Sequence, residues 1–369
     1  MRIAILGTRG IPARYGGFET CAEELAIRLA QKGHEVWVYC RSHLYEEKLR
    51  EYRQVKLVYL PALRVRFLET LSHTIISILY SLTRRFDIHL VFNYGNSPLL
   101  PLFILGRKKV ILHTDGLEWK RSKWSKLGRA YYRLAEWVGA RLPLPLISDS
   151  REIERYYFKK YRRVSYWIPY GASPVRSEEP ALLQKLGIKP LQYFLQVTRF
   201  EPENNPLLTL EAFSELKTAM KLVLVGGVTY PSPYSSRILE VKDPRVILPG
   251  FVYDKRLLQE LLTNCYTYVH GNEVGGTNPA LLEAMGAGCF VIARDVPFNR
   301  EVLAEAGLYF QKDKEDLKRK MTWALEHSEE VRRRGEAARK LVEENYSWEM
   351  VVDKYEALFQ AVASGQIKK

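Results

Sequence analysis

Two successive series of short apolar runs, each run followed by helical or glycine-rich sequence, constrain this chain more than any other feature. In the first series residues 2–6 read as a strand, 18–32 as an amphipathic helix and 35–40 as the next strand. Further strand-like runs lie at 57–60, 88–92, 110–113 and 144–148. The pattern breaks after Ile168-Pro169-Tyr170-Gly171, and residues 172–190 are rich in Pro, Ser and Glu, as an interdomain linker would be. A second series follows at 193–197, 221–225, 245–248, 266–269 and 290–293, and 347–364 reads as a helix with Trp348, Val351, Val352, Tyr355, Leu358 and Phe359 on one face. Short continuous apolar runs separated by helices predict parallel, doubly wound sheets. The expected fold is therefore α/β, with two Rossmann-like domains facing a central cleft: residues 1–171, a linker at 172–190 and residues 191–346, with 347–369 as a terminal helix. Two domains also suit 369 residues. Ligands of such sheets bind beyond the carboxyl ends of the strands.

Composition excludes several classes. With 47% hydrophobic and 27% charged residues the chain has the makeup of a folded globular protein, not a disordered one. The four cysteines, Cys21, Cys40, Cys265 and Cys289, have no paired spacing, which argues against a disulfide scaffold or zinc ribbon and points to a reducing, cytoplasmic compartment. The first residues read as a strand rather than a leader peptide. The longest uncharged apolar stretch, 71–83, is shorter than the roughly 20 residues a membrane span needs.

The formal charge of +14 is one-sided. Residues 1–180 hold 31 Lys and Arg against 17 Asp and Glu, a surplus of 14, while the remainder holds 25 of each. Clusters occur at Arg64/Arg66, Arg84/Arg85, Arg107-Lys108-Lys109, Lys120/Arg121/Lys123/Lys126 and Lys159-Lys160 with Arg162-Arg163. Trp119, Trp124, Tyr131, Tyr132 and Trp137 lie among them. A basic half concentrates anionic partners, and the aromatic residues suit a lipid–water interface or single-stranded nucleic acid, with a plain solvated basic face as the structural reading.

Three loops carry chemistry. The first, Gly7-Thr8-Arg9-Gly10-Ile11-Pro12-Ala13-Arg14-Tyr15-Gly16-Gly17-Phe18-Glu19, does not fit the dinucleotide fingerprint, which weakens a dehydrogenase reading. Gly16 and Gly17 open the helix and let a phosphate approach its amides, or else form a turn that needs positive φ. The second loop, Thr198-Arg199-Phe200-Glu201-Pro202-Glu203-Asn204-Asn205, presents Arg199 at a strand end, either holding a diphosphate or paired with Glu201 or Glu203. The third, His270-Gly271-Asn272-Glu273-Val274-Gly275-Gly276-Thr277-Asn278-Pro279, runs into a helix whose Glu283 lies about two turns in, within reach of a ribose hydroxyl. Phe251 and Val252 follow Pro249-Gly250 and are placed to wall a base pocket. In the first half, His113-Thr114-Asp115-Gly116 follows a strand. Asp115 or His113 is placed to orient an acceptor hydroxyl or take its proton, against the reading of a packed histidine and a turn aspartate.

These pieces, in this order and over nearly the whole chain, resemble the GT-B-fold, retaining nucleotide-sugar glycosyltransferases of family 4. Tyr346-Ser347-Trp348-Glu349 and Asp295-Val296-Pro297-Phe298-Asn299-Arg300-Glu301-Val302 resemble further stretches of that family. The wording Tyr15-Gly16-Gly17-Phe18-Glu19-Thr20, Asp115-Gly116-Leu117-Glu118-Trp119-Lys120-Arg121 and Gly275-Gly276-Thr277-Asn278-Pro279 is similar to a bacterial rhamnosyltransferase-like subgroup. The resemblance implies transfer of a sugar, rhamnose by the subgroup's analogy, from a nucleotide-diphosphate donor to a saccharide or lipid-linked saccharide acceptor in bacterial surface polysaccharide synthesis. It also implies retained configuration, a terminal helix packing back toward the first domain, and peripheral placement at an anionic membrane face.

By the same resemblance Arg199, Asp115 and Glu273 are the expected catalytic groups. Gly16, Gly17, His113, Asn204, Phe251, Val252, Gly275, Gly276, Thr277, Asn278 and Glu283 are the expected binding residues. Two positions depart from the family pattern. Gly275 stands where the first of two spaced glutamates belongs, so Glu273 takes that place through a longer loop. Asn204 stands where a lysine is usual, with loop amides or Arg9 and Arg14 compensating. No Asp-X-Asp triplet occurs, so a metal-held diphosphate and any cofactor beyond the donor are not expected. Rival readings are a nucleotide-sugar epimerase of the same fold, a sensor that binds nucleotide sugar without turnover and, supported only by charge, a nucleic-acid-binding module. Nucleic acid is disfavoured as a partner.

Overall fold

The computed structural model of the chain describes residues 1–13, 16–65, 68–121, 124–228 and 232–367, so Arg14, Tyr15, Arg66 and Lys123, named above, lie outside the described residues. The chain forms two compact units. The first comprises Met1–Lys120, Trp124–Tyr170 and the helix that begins at Trp348, and the second comprises Gly171–Ser347.

The first unit is built on an eight-stranded sheet. Its strands are β1 (Arg2–Leu6), β2 (Glu35–Arg41), β3 (Glu51–Tyr52), β4 (Val55–Leu60), β5 (Ile88–Phe92), β6 (Val110–His113), β7 (Leu146–Ser148) and β8 (Tyr166–Trp167), in the order β3-β4-β2-β1-β5-β6-β7-β8. All neighbours pair in parallel except the β3–β4 hairpin. The central strands are Ile, Val and Leu runs buried on both faces, as parallel strands under helices must be. Helices α1 (Gly17–Gln31), α2 (Leu68–Leu82), α3 (Pro101–Leu105), α4 (Lys126–Arg141) and α5 (Arg151–Tyr161) connect them. The strand order reverses between β1 and β5, the ligand-binding position of an open α/β sheet.

In the second unit the strands are β9 (Tyr193–Val197), β10 (Lys221–Val225), β11 (Val246–Gly250), β12 (Thr267–His270), β13 (Val291–Arg294) and β14 (Leu308–Phe310). They form a wholly parallel sheet ordered β11-β10-β9-β12-β13-β14. The intervening helices are α6 (Pro206–Ser214), α7 (Pro233–Leu239), α8 (Lys255–Thr263), α9 (Pro279–Gly286) and α10 (Pro297–Leu303), followed by α11 (Lys314–Glu326) and α12 (Ser328–Asn345). Phe194, Leu222, Leu224, Val269 and Ile292 of the sheet pack with Phe213 and Met321 of the helices in one apolar core. The order reverses between β9 and β12, which makes the Arg199 loop and the glycine loop neighbours.

Residues 172–190, expected to be a linker, lie in the second unit and are fastened to it. The buried Glu260 carboxylate accepts hydrogen bonds from the Ser177 hydroxyl (2.6 Å) and the Glu178 and Glu179 amides (2.6 and 2.8 Å). The last helix, α13 (Trp348–Ser364), belongs to the first unit. It buries Trp348, Val351, Val352, Tyr355, Leu358, Phe359 and Val362, and Asp353 and Glu356 accept from Lys32 at 2.5 and 2.6 Å.

Candidate functional site

In the second unit, two loops meet at the strand-order reversal. Arg199 leaves the end of β9 half-buried, and its guanidinium makes no hydrogen bond or ion pair among the described residues, so neither Glu201 nor Glu203 neutralises it. The backbone beneath it is fixed. The Thr198 amide donates to Val225 O (2.9 Å) and the Phe200 amide to Gly227 O (2.9 Å). Gly226 (φ +136°) lies so close that a Cβ there would fall 1.7 Å from Thr198 O. Asn204, expected to bind substrate, is 2% exposed and turns inward. Its Nδ2 donates to Arg199 O (3.1 Å), so it shapes the arginine loop instead of supplying a group to it.

The glycine loop after β12 is held by Asn205, whose Nδ2 donates to Gly271 O (2.8 Å) and to the Glu273 carboxylate (3.0 Å). Glu273 also pairs with Arg294 (3.1 Å) and Lys312 (2.9 Å). Burial raises its pKa, but the Lys312, Asn205 and Arg294 contacts outweigh that and hold the carboxyl below its ordinary value. Both carboxylate oxygens of Glu273, an expected catalytic group, are engaged within the unit. The longer loop folds Glu273 back onto its own sheet, where it anchors the loop. Gly275 (φ +152°) faces open space, and the amides of Gly275 and Gly276 make no hydrogen bond among the described residues. Thr277 is buried, and Asn278 caps α9 by accepting from the Ala280 amide (3.1 Å). Glu283 is half-buried near Tyr268, whose hydroxyl is pushed well up by burial first, with the Glu283 charge adding to it. His270 is enclosed, and burial drives its pKa down to about 3.

Beyond β11, Phe251 is 42% exposed and stacks with Tyr253, 70% exposed, at 5.9 Å and 23°, while Val252 between them is half-buried. Phe251 crosses Gly227 closely, since a Cβ on Gly227 would lie 2.8 Å from the ring. The pair offers an exposed apolar platform on the same rim of the sheet.

In the first unit three neighbouring strands end in left-handed backbone: Gly7 after β1 (φ +87°), Asn93 after β5 (φ +70°) and Asp115 after β6 (φ +62°). Side chains other than Gly, Asn and Asp pay for that conformation, and such positions cluster at functional sites. Asp115 is 9% exposed, and its charge helps raise the pKa of the buried Tyr94, Tyr132, Tyr157 and Tyr170 hydroxyls, after burial itself. Gly16 is extended (φ −163°), neither it nor Gly17 has positive φ, and the start of α1 has no side-chain cap. The turn reading is thereby removed. Glu19 and Glu23 of α1 accept from the Arg9 amide (3.0 Å) and the Ala13 amide (2.5 Å), which folds the loop onto the helix.

His113 is the clearest departure in this unit. It is fully buried, stacked between Phe92 (4.9 Å, 24°) and Tyr170 (5.7 Å, 5°) with Phe18 edge-on at 6.1 Å, and burial lowers its pKa to about 3. It is a neutral packing ring, so Asp115 is left as the polar candidate there. Of the aromatic residues expected at an interface, Tyr132 is buried and Trp119, Trp124 and Tyr131 are half-buried with polar partners in the unit. Trp119 and Trp124 donate their indole N–H groups to Glu136 (2.8 Å) and Glu118 (3.1 Å), Tyr131 donates to Gly95 O (2.6 Å), and Trp137 is the exposed member. Among the described residues no cluster of three His, Cys, Asp or Glu side chains is placed to hold a metal ion. No described helix is long and apolar enough to cross a membrane.

Comparison with solved structures defines the class. The Thermosynechococcus elongatus sucrose-phosphate synthase superposes with a TM-score of 0.84 at 17% identity, covering 99% of each chain. The Anabaena HepE protein in complex with UDP superposes at 0.77 and 14% identity, covering 98% of this chain and all of that one. WaaG, a glycosyltransferase involved in lipopolysaccharide biosynthesis, superposes at 0.72 and 19% identity over 96% and 99% of the two chains. The fold is therefore GT-B, two Rossmann-like sheets of parallel strands. Within it, residues 179–341 match the family Glycosyl transferases group 1, and residues 1–173 match the Domain of unknown function DUF1972. The chain thus carries a group 1 glycosyltransferase domain in its second unit. The Xenopus tropicalis protein "Glycosyltransferase 1 domain-containing protein 1" is 27% identical over 194 residues, 48% of this chain and about half (54%) of that protein's length.

Proposed function

We propose that the protein transfers a sugar from a nucleotide-diphosphate donor to a saccharide acceptor carried on a lipid, with retention of configuration and without a metal on the diphosphate. The observation that carries this reading is the half-buried Arg199 guanidinium, without a partner among the described residues, on the loop beside the glycine loop, at the strand-order reversal of a domain that matches group 1 glycosyltransferases. Breaking the sugar–phosphate bond leaves negative charge on the diphosphate. A fixed guanidinium and fixed amides stabilise that charge without reorganising. The Phe251–Tyr253 platform suits the base and Glu283 the ribose, while Asp115, held in left-handed backbone in the first unit, suits the acceptor hydroxyl. The neighbours crystallised with UDP and UDP-glucose support the donor class, and the subgroup wording of Gly275-Gly276-Thr277-Asn278-Pro279 supports rhamnose as the sugar and surface polysaccharide as the pathway.

The test is a thermal-shift panel of UDP, dTDP and GDP and their sugars with EDTA present, followed by transfer assays. A donor that binds only the folded state raises the melting temperature by mass action. Glu283→Gln should weaken that shift, while Asp115→Asn should keep it and lose transfer. Interconversion of the free donor without an acceptor, or no shift with any nucleotide, refutes the reading.

A further inference from the structure

Asp115 holds its left-handed backbone (φ +62°) between two anchors. Before it, the Thr114 amide and hydroxyl both donate to Ile147 O of β7, at 2.9 and 3.0 Å. After it, a helical turn at Glu118–Lys120 carries Trp119, whose indole N–H donates to Glu136 of α4 at 2.8 Å. A strained conformation persists only where its surroundings over-determine it, so whatever fixes Trp119 helps to fix Asp115. Glu136 is 0% exposed, and a carboxylate at that depth needs donors to hold its charge. Its two oxygens serve different elements. Oε1 accepts from α5, through Lys160 Nζ (2.8 Å), Tyr156 OH (2.7 Å) and Tyr161 OH (2.6 Å). Oε2 accepts from Trp119 alone among the described residues. Burial first, and then the hydrogen bonds to Glu136, raises the Tyr156 and Tyr161 hydroxyls well above their ordinary value, so both remain donors. The same helix clasps the neighbouring loop, because Tyr131 OH donates to Gly95 O (2.6 Å), just beyond the left-handed Asn93.

We infer that Glu136 is a positioning residue for sugar transfer: by holding the Trp119 indole it sets the Asp115 carboxylate against the acceptor hydroxyl. The inference rests on the role proposed for Asp115 above. Glu136 itself touches no reacting atom. A carboxylate suits the place because it only accepts, and it can face the indole with one oxygen and α5 with the other. A glutamine of the same shape has one oxygen and one NH₂ group, so in either orientation a donor faces a donor. The single bond through Oε2 also makes the loop separable from the α4–α5 contact. Trp119→Phe removes the tether of the Asp115 loop and leaves the three α5 donors on Glu136. Such a tether matters because a displacement of about 1 Å in a reacting pair can cost about a hundredfold in rate.

Transfer rates and urea midpoints of the full chain test it, with octyl glycosides and polyprenyl-diphosphate-linked monosaccharides as acceptors. Trp119→Phe and Glu136→Gln should each slow transfer on the order of tenfold or more. The double variant should be little slower than either alone, because the two groups act in series. Lys160→Met takes one α5 donor from Oε1 and spares the indole bond, so it should lower the urea midpoint yet keep transfer within a few fold. All of these variants should keep the donor-induced thermal shift of the parent, since the donor loops lie in the second unit. Trp119→Phe at the parental rate overturns the inference, and it keeps the test readable should Glu136→Gln not fold. Losses that multiply in the double variant overturn it too, as does a Lys160→Met loss equal to that of Trp119→Phe, which would make the cluster a support for the fold alone. A parent that transfers no sugar overturns the proposed function and this inference with it, whereas an active parent with unaffected variants overturns the inference alone.

Discussion

Arg199 stands on a half-buried loop with no acidic partner among the described residues, an arrangement that costs stability until an anion arrives. Arg199→Ala should therefore leave the fold at least as stable, abolish the diphosphate-dependent thermal shift and cut transfer on the order of a hundredfold or more. Arg199→Lys should recover part of both, since a lysine brings the charge without the fork. Unchanged transfer in the Ala variant would remove the residue from the mechanism. His113 makes the opposite case. His113→Phe fills the same stack between Phe92 and Tyr170 and should keep transfer within a few fold, and a large loss would show that the imidazole nitrogens matter. The places of Arg199 and Asp115 just past strand ends, and of Glu283 in the helix after the glycine loop, were legible from sequence. The packing of His113 and the ion pairs of Glu273 were not. A histidine after a strand looks the same whether it packs or binds, and Glu273's partners, Arg294 and Lys312, lie on distant parts of the chain.

At the level of strands and loops, the arginine loop owes its position to a backbone contact that no side chain advertises. Gly226→Ala would set a methyl 1.7 Å from Thr198 O in a backbone conformation, φ +136°, that L-residues avoid. We expect a loss of about 3 kcal/mol or more, read as a lowered denaturant midpoint, together with weaker donor binding because Thr198 and Arg199 must move. A Gly226→Ala protein with parental stability and donor binding would show that the loop is not so constrained. The long strands were readable because each is a continuous Val, Ile and Leu run between glycine turns. The β3–β4 hairpin was not, because Arg53 (φ 48°) and Gln54 (φ 69°) adopt the left-handed turn that Asn-Gly would have announced. The segment 172–190 has a linker's composition, and only the long-range bonds to Glu260 reveal it as part of the second unit.

For the molecule as a whole, acid is the predicted weakness. Burial depresses His73 and His89 to about 4 and His113 and His270 to about 3, so the unfolded chain binds these protons first. Stability is then complete above the ordinary histidine value near 6.5 and lost as pH falls toward the folded values. Each histidine contributes about 1.4 kcal/mol per pH unit within that window. Urea midpoints measured from pH 7.5 to pH 5 should fall steadily, and a flat profile would contradict the buried, neutral assignment. The surplus of 14 positive charges in residues 1–180 was readable by counting, whereas the burial of His73, Thr74, Ser77 and Ser81 beside Ile78 in α2 was not, because helical periodicity does not say which polar side chains end up inside. The return of α13 to the first unit has one more consequence. Residues 1–170 lack the surface that Trp348, Tyr355 and Phe359 cover, so a ribosome must synthesise the entire second unit before the first can complete its interior. A nascent chain stalled short of that helix should stay open to protease in its amino-terminal half long after the following sheet has become resistant.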